Sequence, residues 1–470
     1  MVELNWMSAA KLSRGYARKK FSPVDVTRAC LAQIAKHDGT INAMCHVEEK
    51  QAIEQATASE ARWNKGKQLS PLDGVPALIK DLLLTRGWPT LRGSKTIDAN
   101  QPWGEDAPSV ARLREAGCVF LGATTTPEFG WKGVTDSILT GITRNPWDVG
   151  KTPGGSSGGS AAGVAAGYAA LSLGTDGGGS IRIPAGFSGI YGLKPSFGRV
   201  PAFPLSPFGS VAHVGPMTRS VEDASLMMNE IARPDARDWT SLPYEPRDYL
   251  KKLGKGVKGL KVAFSPTLGY VDVDPEIARL VKKAVKVLQG LGAHVDEVDP
   301  GFADPGPCFR VLWWSGVRAL VGKLSEEKRA LLDPGLADVY QQSLVITPEE
   351  YFDAVRDRGI LGSHMRQFMQ KYDVLVTPTL PIPAFDAGKL SPVDDGLGKW
   401  VNWTPFSYPF NLTQQPAASV PCGFTKAGLP AGLHIVGRMF DDRTVLRVSQ
   451  AYEGATEWTQ KRPGVTSATA

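Results

Sequence analysis

Between residues 154 and 180 the sequence reads GGSSGGS, then AAGVAAGYAALSL, then GTDGGGS. Two glycine-rich runs so close together, each carrying serine, constrain this chain more than anything else in it. Glycine at that density means tight turns, or backbone that must come close to something else. One explanation is a phosphate loop. Gly150, Lys151 and Thr152 imitate the end of one, but Asn145 stands where the pattern needs glycine. Pro153 also follows where the loop's helix should begin, and no GxGxxG dinucleotide fingerprint is present. A second explanation is structural, with glycines at turns and helix–sheet contacts; it accounts for one such run more easily than for two.

The third is acyl transfer. Glycines leave backbone N–H groups unshielded, so a loop can aim several of them at a developing oxyanion. Ser180, at the end of the second run, is then placed as a nucleophile. A serine nucleophile needs a base. The histidines (His37, His46, His213, His294, His364 and His434) form no triad-like pattern, and no GxSxG elbow surrounds Ser180. A lysine serves instead if burial keeps it neutral. Lys80 qualifies because it ends an apolar segment, GVPALIK; the plainer alternative for it is an exposed lysine at a strand end.

Periodicity predicts an α/β layered fold. The first sixty residues read as helices, with Ser22 as N-cap, Pro23 at N1 and an apolar stripe of Val26, Cys30 and Ile34. Residues 74–79 and 118–123 read as buried strands and residues 109–115 as a helix. Residues 260–265, a helix begun by Asp274 with Ile277, Leu280, Val281, Ala284 and Leu288 on one face, and residues 293–298 form a βαβ pattern. Residues 372–378 and 418–421 are further core strands. The expectation is one large α/β/α domain over residues 1–470 around a mostly parallel or mixed twisted sheet. It divides into N-terminal helices (1–65), a core with the chemistry (66–230), an inserted βαβ and helical segment (231–370), and C-terminal strands with pocket residues (371–470).

Bulk properties exclude other classes. The 53 basic and 47 acidic residues are scattered, giving +6 without the concentrated basic face that nucleic acid requires. Five widely spaced cysteines, an odd number with no CxxC pair, argue against a disulfide framework and for a reducing cytoplasm. No segment has the length and apolarity of a signal peptide or a membrane span. No His/Cys/Asp cluster has metal-ligand spacing, so neither metal nor cofactor is expected.

Residues 154–160, 174–184 (GTDGGGSIRIP) and 192–195 (GLKP) together closely resemble the amidase signature family. Residues 71–81 (PLDGVPALIKD), 143–147 (TRNPW), 215–217 (GPM) and 421–423 (PCG) fit the same family, so the resemblance spans roughly residues 20–455. It implies that Lys80 is the catalytic lysine, that Ser156 is the bridging serine held in a cis peptide, and that Ser180 is the nucleophile. It places the oxyanion hole at the N–H groups of Gly177, Gly178, Gly179 and Ser180, with Asp176 and Arg182 bracing the loop. Gly177 departs in detail, since many members carry a bulkier residue there; a looser loop or a wider pocket is the expected effect.

Two enzymatic roles share these motifs. One is a free-standing hydrolase of small amides, as monomer or homodimer. The other is the glutaminase component of a glutamyl-tRNA(Gln) or aspartyl-tRNA(Asn) amidotransferase. The charged groups that the resemblance implies for gripping glutamine are not evident in the C-terminal half. Residues 400–410 (WVNWTPFSYPF) are instead aromatic and uncharged. The resemblance places Phe129 and Trp131 where members line the acyl pocket; with Trp403 and Phe406 of this aromatic stretch they are expected to form an apolar pocket, favouring apolar or aryl substrates. Anilides, aliphatic and cyclic amides, carbamates (urethanes) and esters all suit an acyl-enzyme route. A non-catalytic binding module would leave Lys80, Ser156 and Ser180 without purpose.

Overall fold

A computed structural model of the chain describes residues 3–393 and 399–465. Its centre is one eleven-stranded sheet. The strands are β1 (Met44–Val47), β2 (Pro76–Lys80), β3 (Val119–Thr124), β6 (Leu171–Asp176), β7 (Tyr191–Lys194), β8 (His213–Thr218), β9 (Lys261–Phe264), β10 (His294–Glu297), β11 (Val374–Pro378), β12 (Ala417–Phe424) and β13 (Pro430–Gly437). The remaining strands, β4 (Asp136–Ser137) and β5 (Gly141–Ile142), form a separate small ribbon. Across the large sheet the order is β1-β3-β2-β6-β8-β7-β12-β13-β11-β9-β10.

The sheet is mixed. Pairs β2/β3, β2/β6, β9/β10 and β9/β11 are parallel, whereas β1/β3, β6/β8, β7/β8, β7/β12, β12/β13 and β11/β13 are antiparallel. Some of the antiparallel pairs involve short strands that periodicity does not reveal. β8 contains Pro216, and β7 is four residues with a glycine inside. The predicted βαβ unit is present: β9 and β10 pair in parallel around the helix Pro275–Gly290. Asp274 caps that helix by accepting from the N–H groups of Glu276 and Ile277, an interaction worth about 1 kcal/mol. Its face of Ile277, Leu280, Val281, Ala284 and Leu288 is buried. Both strands continue the central sheet through β11.

Two local elements position the site. The segment after the first glycine run is a helix only over Gly158–Ala165; Leu171–Asp176 then runs as β6. Because β2 and β6 are parallel neighbours, Lys80 and Asp176 end adjacent strands at the same sheet edge. The carboxyl ends of parallel strands are where α/β sheets place their ligands.

Candidate active site

Lys80 is fully buried, and its Nζ contacts three hydroxyls: Ser156 Oγ at 2.7 Å, Ser157 Oγ at 2.8 Å and Thr175 Oγ1 at 2.9 Å. No carboxylate lies within ion-pair distance among the described residues. Burial lowers the Lys80 pKa well below the ordinary lysine value, and the Asp176 charge only partly opposes it. The amine is therefore held toward its neutral form. Ser156 and Ser157 sit at the start of the helix Gly158–Ala165, and the Gly155–Ser156 peptide is cis.

The second glycine run folds over the same spot. Ser157 N–H donates to the Ser180 carbonyl at 3.1 Å, tying the two runs together. Ser180 is nearly buried and lines a cavity of about 120 Å³ with Ser156, Thr175, Asp176, Gly177, Phe129, Gly130, Phe208 and Trp313. Its hydroxyl makes no hydrogen bond to another described residue, so the Ser180-to-Ser156 link is open in this conformation. Catalytic hydrogen bonds commonly tighten only when substrate is bound.

Asp176 organises the turn. Its carboxylate accepts from Gly179 N–H (2.8 Å) and Ile181 N–H (3.2 Å), from Arg182 Nε (2.9 Å) and Nη2 (3.0 Å), and from Asn411 Nδ2 (2.8 Å). Burial alone would raise its pKa. The Arg182 charge and hydrogen bonds, helped by Lys194 and Asn411, outweigh burial and hold the carboxyl well below the usual carboxylate range. Arg182 also donates to the Ser407 carbonyl and to Asn411 Oδ1, and it contacts His434 Nε2. Arg182→Met strands Asp176 in a fully buried position without its cation. The expected loss is about 3–5 kcal/mol of stability, read from urea unfolding at neutral pH.

This network bears on one of the four expected oxyanion donors. The Gly179 N–H already donates to the Asp176 carboxylate. Those of Gly177, Gly178 and Ser180 have no partner among the described residues. Gly179 itself is at φ 129°, and a Cβ there would lie 2.4 Å from Ser407 Oγ, so only glycine fits.

Gly177 does not widen the pocket. A Cβ on it would come 2.7 Å from the Trp313 ring, so Trp313 occupies the room left by the missing side chain. That indole stacks on Phe208, with centroids 3.7 Å apart, and donates to the Trp131 carbonyl at 3.0 Å.

Of the four expected pocket aromatics, only Phe129 lines the cavity. Trp131 turns its ring into the core against Gly335. Trp403 stacks on Phe187 and donates to the Leu390 carbonyl. Phe406 is fully buried. All three pack into the core, where large aromatic side chains are most readily buried. The walls come instead from Leu82, residues 202–208 and the helix Gly306–Val321, which carries Trp313 and Leu320. Sequence reading missed these, and it also missed Ser157, Thr175 and Arg92. The available signals were the second serine of GGSSGGS, the threonine before Asp176, and the tryptophan pair of VLWWS.

Among the described residues no group of three or more His, Cys, Asp or Glu side chains is arranged to hold a metal. All five cysteines are free. No helix among them is long and apolar enough to cross a membrane.

The profile of the Amidase family matches residues 25–446. The chain belongs to the amidase signature family. An acylamidase of Rhodococcus erythropolis is 36% identical over 470 residues, covering 98% of each chain. A glutamyl-tRNA(Gln) amidotransferase component from Myxococcus xanthus is 38% identical over 481 residues, covering 96% of each. The crystal structure of a bacterial aryl acylamidase of the amidase signature family superposes with a TM-score of 0.90 at 32% identity, covering 97% of each chain. As a member of this family, the protein is an amidohydrolase acting on amides.

Proposed function

We propose that this amidase hydrolyses small amides with an apolar or aryl group through an acyl-enzyme on Ser180, with Ser156 and neutral Lys80 as the proton relay. The observation that carries this reading is the buried Lys80 amine, held by three hydroxyls beside the cavity that Ser180 lines. A neutral amine has two N–H donors and one lone pair, so one of the three hydroxyls must donate to it. Ser157 Oγ already donates to the Thr175 carbonyl at 3.1 Å, which makes it an acceptor from Lys80. Ser156, at the shortest distance and facing the cavity, is the natural donor.

The steps follow from that arrangement. Ser180 gives its proton to Ser156 as Ser156 passes its own to Lys80. The Ser180 oxygen attacks the carbonyl carbon, and the N–H groups of Gly177, Gly178 and Ser180 receive the oxyanion. The proton returns through Ser156 to the leaving nitrogen, which would otherwise depart as a poor anion. Water, activated by the same relay, then cleaves the ester and restores the serine.

The walls support an apolar acyl or amine group. Phe129, Phe203, Phe208, Leu82, Trp313 and Leu320 supply most of them. The 38% identity to an amidotransferase component favours a second reading, glutamine hydrolysis for a tRNA-dependent partner. Against it, the one carboxylate lining the cavity among the described residues, Asp176, is saturated by five donors and has no free acceptor for glutamine's ammonium group. The purified chain, assayed alone on aryl and alkyl anilides, aliphatic amides, carbamates, esters and glutamine, is expected to cleave the apolar amides and leave glutamine intact. Turnover of glutamine alone would replace this reading with the second.

A further inference from the structure

One charged side chain at the cavity has no part in the relay. Arg92 lines the same space as Ser180, Phe129 and Trp313. It occupies a turn built to hold it there. The Asp81 carboxyl accepts from Leu91 N–H (2.9 Å) and Gly93 N–H (3.1 Å) on either side, and the Arg92 carbonyl accepts from Phe129 N–H (2.8 Å). Arg92 itself is at φ 56°, a left-handed conformation that disfavours a long side chain. Strain of this kind persists only where surrounding contacts enforce it, and it gathers at ligand sites.

The guanidinium has no hydrogen-bond or ion-pair partner among the described residues. Asp81 is the carboxyl whose charge acts on it, but its oxygens accept from the backbone N–H groups of Leu91 and Gly93, and burial pushes its pKa up to about 7. Burial also pulls the Arg92 pKa down, with Asp81 opposing, yet a guanidinium stays charged at neutral pH. A half-buried cation with five donors and an apolar neighbourhood is the arrangement that recognises a carboxylate. Among the described residues the other charged side chain at the cavity, Asp176, is spent on Arg182, so they offer no second ionic site.

We infer that Arg92 is a specificity-determining residue that binds a carboxylate on the substrate, so that the preferred amides are monoanionic, with an apolar body between the scissile bond and the acid. This rests on the amide-hydrolase reading above. The carboxylate belongs either to the acyl part, as in a monoamide of a dicarboxylic acid, or to the amine part, as in an N-acyl amino acid.

Two matched substrate pairs separate these sources. One sets a dicarboxylic acid mono-anilide against an alkanoyl anilide of equal chain length. The other sets an N-acyl amino acid against the N-acyl alkylamine that lacks the acid. In the unmodified enzyme the anionic member of one pair is expected to show at least about tenfold higher kcat/KM, mainly through KM. Arg92→Met lowers kcat/KM for that anionic substrate about 100-fold and leaves its neutral partner within about twofold, and Arg92→Lys recovers part of the loss. Equal losses on both members of a pair would mean a merely structural role and would overturn the inference. So would an unmodified enzyme with no preference in either pair, a result that stands even if Arg92→Met does not fold. Failure to cleave any amide, charged or neutral, would instead sink the hydrolase reading beneath it.

Discussion

Ser180→Ala is expected to leave a folded protein with no measurable amide hydrolysis, a loss of roughly 10⁴- to 10⁶-fold in kcat. The hydroxyl makes no hydrogen bond to another described residue, so its removal breaks nothing in the fold. The Ser180 carbonyl still holds Ser157 N–H, and the Asp176 network is untouched. The melting temperature should therefore stay close to that of the parent while turnover disappears. A fluorophosphonate probe gives the complementary readout, labelling the parent at Ser180 and leaving Ser180→Ala unmodified. Retention of activity would remove Ser180 from the chemistry. Failure of the parent to label would favour a binding role over a catalytic one.

Lys80→Met is expected to reduce kcat/KM by about 10²- to 10⁴-fold, the range for losing a positioned general base. It should also change the pH profile. In the proposed relay Lys80 works as the free amine, so activity in the parent is expected to fall as pH drops through its depressed pKa and to hold on the alkaline side. Lys80→Met should lose that acid limb altogether. An acid optimum in the parent, or full activity in Lys80→Met, would sink the relay. The same group affects stability. Between its depressed pKa in the fold and the ordinary lysine value of about 10.4, the unfolded chain binds a proton that the folded chain does not. Folding is thus progressively disfavoured as pH falls through that window. Lys80→Met should flatten this slope, measurable as urea midpoints against pH.

Much of the fold was legible because several segments announce themselves through composition. The helix Pro275–Gly290 shows its cap and its apolar face, and β2, β3, β9 and β11 are short apolar runs. β7 and β8 were not legible. They are short, one holds a proline, and their strand character comes from neighbours distant in sequence, as in the antiparallel pairing of Leu171 to Thr218. At the site, the residues themselves pointed to Ser180 and Lys80, and the resemblance added Ser156. The structure brings Lys80 into contact with Ser156, which shares its cavity with Ser180. The pocket walls escaped because an aromatic residue in a sequence says only that it prefers to be covered. Trp313 and Trp403 are equally apolar. One meets Gly177 and the other meets Phe187, a difference set by tertiary packing alone. The Gly179 N–H escaped for a similar reason, since its engagement depends on where the Asp176 carboxylate points.

The ties that Arg182 makes to Ser407, Asn411 and His434 bear on how this protein comes to life during its synthesis. The glycine loop that carries Ser180 is made early, yet part of its scaffold lies more than two hundred residues downstream. Until Ser407 has been added, Arg182 and Asp176 can meet each other but not Ser407, Asn411 or His434, and β6 has no β12 or β13 farther along its sheet. A nascent chain therefore carries Ser180 through more than two hundred residues of synthesis before Ser407, Asn411 and His434 exist to hold Arg182. The contacts of Arg182 are complete only once His434 of β13 has been made, so the loop that carries Ser180 depends for its full frame on the last strand in chain order.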